Sequence, residues 1–71
     1  MFIKTTDDEF WNLEQAQCIY ANGEGEIKMV YPEGKAVVLQ KYADWNRAQR
    51  VLWDMMEYKD NAVSVFVMPE K

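Results

Sequence analysis

The 71-residue chain contains no histidine and one cysteine, Cys18. Histidine is the commonest protein ligand for zinc and the commonest general base, so its absence removes the usual routes to both chemistries. A lone cysteine cannot form an intramolecular disulfide, and an unpaired thiol is typical of a reducing compartment. We therefore expect no metal or cofactor site and a cytoplasmic location.

Catalysis by Cys18 is disfavoured because a thiol nucleophile needs a neighbouring base to activate it. We interpret Cys18 as a buried, inert thiol on a strand. The chain is also too short for one protomer to enclose a typical ligand pocket of several hundred Å³. The sequence therefore predicts that the protein is not an enzyme.

Long apolar runs and an excess of basic residues are also missing. No stretch approaches the roughly 18 apolar residues that a membrane span needs. The start, "MFIKTTDDEF", does not have the basic-then-apolar order of a secretion signal. Twelve acidic residues against eight basic ones give a net charge of −4. That balance argues against binding a phosphate backbone, so we expect no nucleic-acid partner.

Glycine and proline are few, with three and two copies, and they mark turns. In "YPEG", residues 31–34, Pro32 suits the first corner of a turn and Gly34 its exit. The turn joins "EIKMVY" to "KAVVLQKY" and predicts a β-hairpin. Because "KAVVLQKY" is apolar on both faces near its middle, we expect it to be a central strand covered by a helix.

Other segments complete the predicted fold. "FIKTT", "EFWNL" and "AQCIYAN" read as extended segments before the hairpin, and "AVSVFVM" alternates as a strand after the helix. We expect one α+β domain over residues 1–71, in the order β-β-β-β-α-β. Its sheet is mainly antiparallel, with one helix packed on one face.

The helix is predicted from "DWNRAQRVLWDMMEY", with Asp44 as its N-cap and Asn61 as a left-handed C-cap. At about 100° per residue, the apolar side chains fall in one wide arc. Trp45 lies inside that arc, so we expect it to pack in the core.

Trp53 does not share the arc. It lies about 140° from Ala48, between Gln49 and Glu57 and beside the polar residues. Tryptophan and arginine are over-represented among interface hot spots. The candidate protein-interaction residues are therefore Trp53, Arg50, Gln49 and Glu57. The alternative is core packing of Trp53 beneath a loop or the N-terminal strand.

Small domains without a disulfide or metal often gain stability by self-association. We therefore expect a non-catalytic interaction protein that forms a homo-oligomer or binds another protein. One alternative is a nucleotide or small-ligand sequestering protein, with a pocket between protomers and Arg47 or Arg50 on the phosphate. Another is an acidic mimic of nucleic acid, built from Asp7, Asp8, Glu9, Glu24 and Glu26.

A resemblance rests on three stretches: "WNLE" at residues 11–14, "VVLQKYADWNRAQRVLWDMM", and the ending "VFVMP" at residues 65–69. Over most of its length the chain resembles small proteins of Gram-positive phages, plasmids and other mobile elements, most of which have no assigned activity. The resemblance implies no catalytic residue. Small acidic phage-borne proteins often inhibit host defence or mimic DNA, so it implies an accessory protein of that kind.

Overall fold

Six strands and one long helix make up the chain in the computed structural model, which describes every residue from 1 to 71. The elements are β1 (Phe2–Lys4), β2 (Phe10–Asn12), β3 (Cys18–Ala21), β4 (Glu26–Val30), β5 (Ala36–Lys41), α1 (Trp45–Asp60) and β6 (Val65–Val67), with a 3₁₀ turn at Leu13–Gln15. This confirms the predicted α+β class, with one helix followed by a final strand; five strands precede the helix, where the predicted order has four.

The strands form two three-stranded sheets, ordered β2-β1-β6 and β3-β4-β5. All pairs are antiparallel except β1 with β6. The prediction that "KAVVLQKY" is a central strand is wrong, because β5 lies at a sheet edge and β4 is central. Ile27 and Met29 of β4 are fully buried, whereas Val38 of β5 is 48% exposed. The chain leaves β5 directly for the helix, so no strand follows to cover that edge.

Both glycine turns form as the sequence indicates. In the β4–β5 hairpin, the amide of Gly34 donates to the Tyr31 carbonyl at 2.8 Å, with a φ of 91° at Gly34. In the β3–β4 turn, the side-chain oxygen of Asn22 accepts from the amides of Glu24 and Glu26, both at 3.0 Å. The turns fix the two strand pairs of this sheet in register.

The predicted cap of α1 is observed at the N-terminal end of the helix but not at its C-terminal end. The Asp44 carboxylate accepts from the Arg47 amide at 2.8 Å, which confirms the N-cap. At the other end Asn61 has a φ of −91°, so the prediction of a left-handed Asn61 is wrong. Ala62 takes that conformation instead, with a φ of 57°. The Val63 amide then donates to the Tyr58 carbonyl, as in a Schellman motif. This hydrogen bond requires the left-handed residue at position 62 rather than at position 61.

The core lies between α1 and the inner faces of the strands, and the helix packs on β3 and β4. Its buried hydrophobic residues are Ile3, Leu13, Ile27, Met29, Leu39, Tyr42, Ala48, Val51, Met55, Phe66 and Met68. Trp45 is not among them and is 45% exposed, so its predicted core position is wrong. The angle of a side chain around the helix axis does not show whether a strand lies opposite that turn of the helix. Trp45 is the first residue of α1, where the helix end can extend past the sheet.

The accessible surface of the protomer is 4648 Å². A compact monomer of this mass exposes roughly 4,600 Å². The single chain therefore reaches ordinary compactness without a partner. Helix α1, with 16 residues, is neither long nor apolar enough to cross a bilayer.

Gly25 joins the β3–β4 turn to the start of the helix. Its φ is 86°, and a Cβ there would lie 2.6 Å from the Tyr42 carbonyl oxygen. Gly34 has a similar φ of 91° but nothing within 4 Å of the same position. Substitutions at Gly25 and Gly34 therefore separate the cost of a positive φ, which both positions share, from the cost of a steric clash with Tyr42, which only Gly25 has.

We predict that Gly34→Ala lowers the free energy of unfolding by about 1–2 kcal/mol, because an L-residue is strained at positive φ. Gly25→Ala should lose at least about 1 kcal/mol more, because the added methyl group displaces backbone. Chemical denaturation of both variants measures the difference. Equal losses would contradict the close packing of Gly25 on Tyr42.

Candidate functional site

Trp53 is 67% exposed, more than any other large hydrophobic side chain of the protein. It borders a groove of about 210 Å³ that is also lined by Ile19, Gln49, Leu52 and Met56. The sequence placed Trp53 outside the buried arc, and its exposure confirms that position. An indole left in water beside an open apolar groove is typical of an interaction surface.

The groove exists because the core is open on one side. Leu52 and Met56 extend the buried arc of α1 toward its flank and remain half-buried. Ile19 lies opposite Met29 on the helix-facing side of β3. Because β3 is an edge strand, no further strand covers Ile19 from the side. The apolar seam between helix and sheet therefore reaches the surface here.

A second hollow of about 140 Å³ continues the groove toward the C-terminal end of α1. It shares Ile19 and Met56 with the first and is bounded by Lys59. Glu14 lies near that end. A hydrogen bond from the Met1 ammonium, together with the charges of that ammonium and of Lys59, lowers the pKa of the Glu14 carboxyl. Because they share Ile19 and Met56, the two hollows form one groove along β3, and the structure contains no others.

The four predicted interaction residues divide into two pairs. Gln49 and Trp53 line the groove, whereas Arg50 and Glu57 are exposed on the helix outside the lining. Ile19 was not predicted as a groove residue, and Leu52 and Met56 belong to the apolar arc that was predicted to face the core. No local pattern could reveal these, because the groove depends on β3 being an edge strand.

Cys18 is exposed, so the prediction of a buried thiol is wrong. The alternation of β3 was recognised correctly, but Ile19 and Ala21 turn inward and Cys18 and Tyr20 turn outward. Swapping the two faces of a strand exchanges every buried position for an exposed one. The outer face of the sheet carries Tyr20, Lys28 and Val38 in one row across the three strands.

A second apolar surface, which the sequence analysis did not identify, covers the outer face of the β2-β1-β6 sheet. Strand pairing brings together the exposed side chains Phe2, Phe10, Val65 and Val67. Lys4 lies among them and pairs with Asp8 at 2.9 Å. None of these side chains lines a hollow, in contrast to those beside Trp53.

The residues predicted for the alternative functions have other contacts. The guanidinium of Arg47 donates from Nε and Nη2 to the main-chain oxygen of Lys71 at 3.0 and 2.6 Å. It also lies 5.8 Å from the ring centre of Tyr42. Arg47 is therefore held by the protein itself, whereas Arg50 is exposed.

The acidic residues proposed for nucleic-acid mimicry lie in two places: Asp7, Asp8 and Glu9 follow β1, and Glu24 and Glu26 lie at the end of the β3–β4 turn, where Glu26 begins β4. Glu26 accepts from the side chain of Asn22 at 2.8 Å, and Glu9 accepts from the Trp11 indole at 3.4 Å. The structure assembles no group of three or more cysteine, aspartate or glutamate side chains that could hold a metal ion.

Comparison with known proteins adds no assignment. No protein-family model, curated protein or solved structure matches the chain. The resemblance to proteins of mobile elements therefore stays a prediction. The groove beside Trp53 has to be interpreted from its own geometry and chemistry.

Tyr42 provides a pH-dependent probe of the contact with Arg47 and the C-terminal segment. Burial raises the pKa of its hydroxyl to about 12, and the Arg47 charge opposes that rise. The hydroxyl donates to the Pro69 carbonyl at 2.8 Å. The unfolded chain loses this proton near its ordinary pKa of about 10, whereas the folded protein retains it. The contribution of Tyr42 to stability is therefore complete below pH 10 and lost as the pH rises through about 12.

We predict that Tyr42→Phe is less stable than the natural protein by about 1 kcal/mol at pH 7, because a buried hydrogen bond is lost. The difference should shrink between pH 10 and 12, because only the natural protein loses the tyrosine contribution there. Urea denaturation at several pH values measures both. A difference that stays constant up to pH 12 would contradict the raised pKa of Tyr42.

Proposed function

We propose that the protein is a non-catalytic interaction domain that self-associates through the groove beside Trp53. The observation that supports this most directly is the 67% exposure of Trp53 at the border of an apolar groove. Burying such an indole against a partner removes apolar surface from water at about 25 cal/mol per Å². Tryptophan is also among the residues most often found as interface hot spots.

A second copy is the partner that fits the charges. Each protomer carries a net charge of −4, so two copies repel each other at long range. Lys59 bounds only the second hollow, and all five residues that line the hollow beside Trp53 are uncharged. Two protomers can therefore meet there without bringing like charges into contact. Arg50 and Glu57 stand outside the lining, where opposite charges can help to orient the partner.

The division of the groove into two small hollows favours a protein partner over a small ligand. Neither hollow alone, at about 210 and 140 Å³, reaches the roughly 300–1,000 Å³ that is usual for small-molecule sites. A ligand pocket between protomers would need the same assembly first. Self-association is therefore the step that both hypotheses share.

The exposed Cys18 bears on the location of the protein. A reducing cytosol keeps an exposed thiol free, so a cytoplasmic location is part of the proposal. We retain the proposal that the protein is an accessory protein of a phage or other mobile element. That part rests on sequence resemblance and is independent of the groove.

We predict that Trp53→Ala raises the dissociation constant for self-association by about 30-fold, the effect of losing a hot spot of about 2 kcal/mol. The stability of the monomer should change by less than about 0.5 kcal/mol, because an exposed side chain is removed. Sedimentation velocity over a concentration series gives the dissociation constant. Urea denaturation at low concentration gives the stability.

Trp45→Ala is the matched control, since it removes the same side chain from the same helix at a 45% exposed position away from the groove. It should leave association unchanged. Phe10→Ala tests the outer face of the β2-β1-β6 sheet in the same assay. The proposal is wrong if the natural protein stays monomeric at every concentration, or if Phe10→Ala rather than Trp53→Ala disrupts assembly.

A further inference from the structure

The groove runs beside the free edge of β3, and that edge carries unpaired backbone groups. The backbone N–H of Asn22 donates to the Glu26 carbonyl at 3.0 Å, so the backbone of Asn22 faces β4. The pattern alternates along the strand, so Ile19 and Ala21 direct their N–H and C=O groups away from β4. None of the turn, loop or cap hydrogen bonds uses these groups. The edge therefore offers two donors and two acceptors in line.

The same edge has no charged residue or proline to protect it against strand pairing, and its pairing is irregular only at its start, where the Gln17 amide donates to the Val30 carbonyl at 2.7 Å. Natural proteins guard exposed edges with lysines, prolines or bulges. The stretch from residue 15 to 23, which contains β3, has nine consecutive residues without a charge or a proline. This is notable in a chain of which 28% is charged.

The other free edges differ from β3. Strand β5 has Lys35 before it and ends at Lys41, and its Gln40 is held by the Thr6 hydroxyl at 2.9 Å. Strand β2 follows three consecutive acidic residues. Strand β6 also lies in an uncharged stretch, but it is three residues long, ends just before Pro69, and borders neither hollow. Only β3 combines an unguarded edge with an apolar groove.

We propose that two copies of the chain pair β3 with β3 in antiparallel register, with the two-fold axis at Tyr20. This inference rests on the proposed function and specifies how the two copies meet. Ile19 of one protomer then lies opposite Ala21 of the partner subunit. Each such pair exchanges two N–H···O=C bonds, so the symmetric interface contains four. An isologous arrangement of this kind closes on itself as a dimer.

The absence of charge along the edge suits a second copy, and the exposed aromatic area sets the strength of the contact. An uncharged strand that pairs with itself opposes no like charges, although each protomer carries −4. The two sheets join into one of six strands, and the two grooves meet across the axis with their Trp53 side chains. Trp53 is 67% exposed and Tyr20 is 42% exposed. Together their exposed surface is about that of one whole aromatic side chain, roughly 150–250 Å² that the dimer can bury. A standard interface buries about 800 Å² per partner, so these two side chains supply only part of it and we expect a weak, concentration-dependent dimer.

The register predicts which cysteines can be cross-linked. Tyr20 faces Tyr20 of the partner subunit as a non-hydrogen-bonded pair, with Cα atoms about 4.5 Å apart, within the range for a disulfide. The natural Cys18 is four residues out of register with its counterpart, a separation of about 14 Å along the strand. We therefore expect the double variant Cys18→Ser/Tyr20→Cys to form a disulfide dimer under mild oxidation, and the natural protein to stay uncross-linked.

Val38 supplies the matched control. It lies on the same outer face and in the same row as Tyr20, at the opposite edge of the sheet, and is 48% exposed. Cys18→Ser/Val38→Cys should therefore oxidise at least tenfold more slowly than the Tyr20 variant. Equal rates, or faster cross-linking through Val38 or the natural Cys18, would overturn the β3 register.

A second test does not depend on replacing Tyr20. Ala21→Pro removes an outward N–H from the β3 edge, and proline is tolerated at an edge position that faces solvent. Val38→Pro does the same at the β5 edge, since Val38 pairs with Lys28 on the non-hydrogen-bonded side. Circular dichroism verifies that each variant is folded. Sedimentation should show at least a tenfold loss of dimer affinity for Ala21→Pro only.

The outcomes separate this inference from the proposed function. If the natural protein dimerises and Trp53→Ala weakens the dimer, but Tyr20 and Val38 cysteines cross-link alike, the groove proposal stands and the β3 pairing is wrong. If the natural protein is monomeric at all concentrations, both are wrong. Dimerisation with selective Tyr20 cross-linking supports both.

Discussion

The packing of one helix on two strands determines which surfaces this protein leaves open. Helix α1 lies on β3 and β4, and its start is held against the β3–β4 turn by the close contact of Gly25 with Tyr42. Since this is the only helix, the outer faces of both sheets and the flank beside β3 have no second layer. The apolar seam between Ile19 and Met56 therefore reaches the surface next to Trp53.

The features that were predictable from sequence depend on neighbouring residues. The hairpin at Gly34, the cap at Asp44 and the outward position of Trp53 follow from turn chemistry and from helical spacing. The wrong predictions concern which element lies opposite a residue. The edge position of β5 and the outward face of Cys18 depend on strand order, which the local pattern does not encode.

For the same reason, only two of the five residues that line the hollow beside Trp53 could be predicted from sequence. Trp53 and Gln49 could be selected from their angle on the helix alone. Ile19 could not, because it becomes a groove residue only when no strand pairs beyond β3. An uncharged strand with free backbone groups, an exposed indole and an apolar seam thus meet at one edge. We interpret this combination as a surface for a second copy of the chain.

Amide hydrogen exchange at Ile19 and Ala21, followed over a series of protein concentrations, tests this account most directly. Their N–H groups are free in the monomer and hydrogen-bonded in the proposed dimer, so their protection should rise with concentration. The outward amides of Ala36 and Val38 at the other edge should exchange quickly throughout. Fast exchange of Ile19 and Ala21 at concentrations where the protein is dimeric would contradict the pairing of β3 with β3.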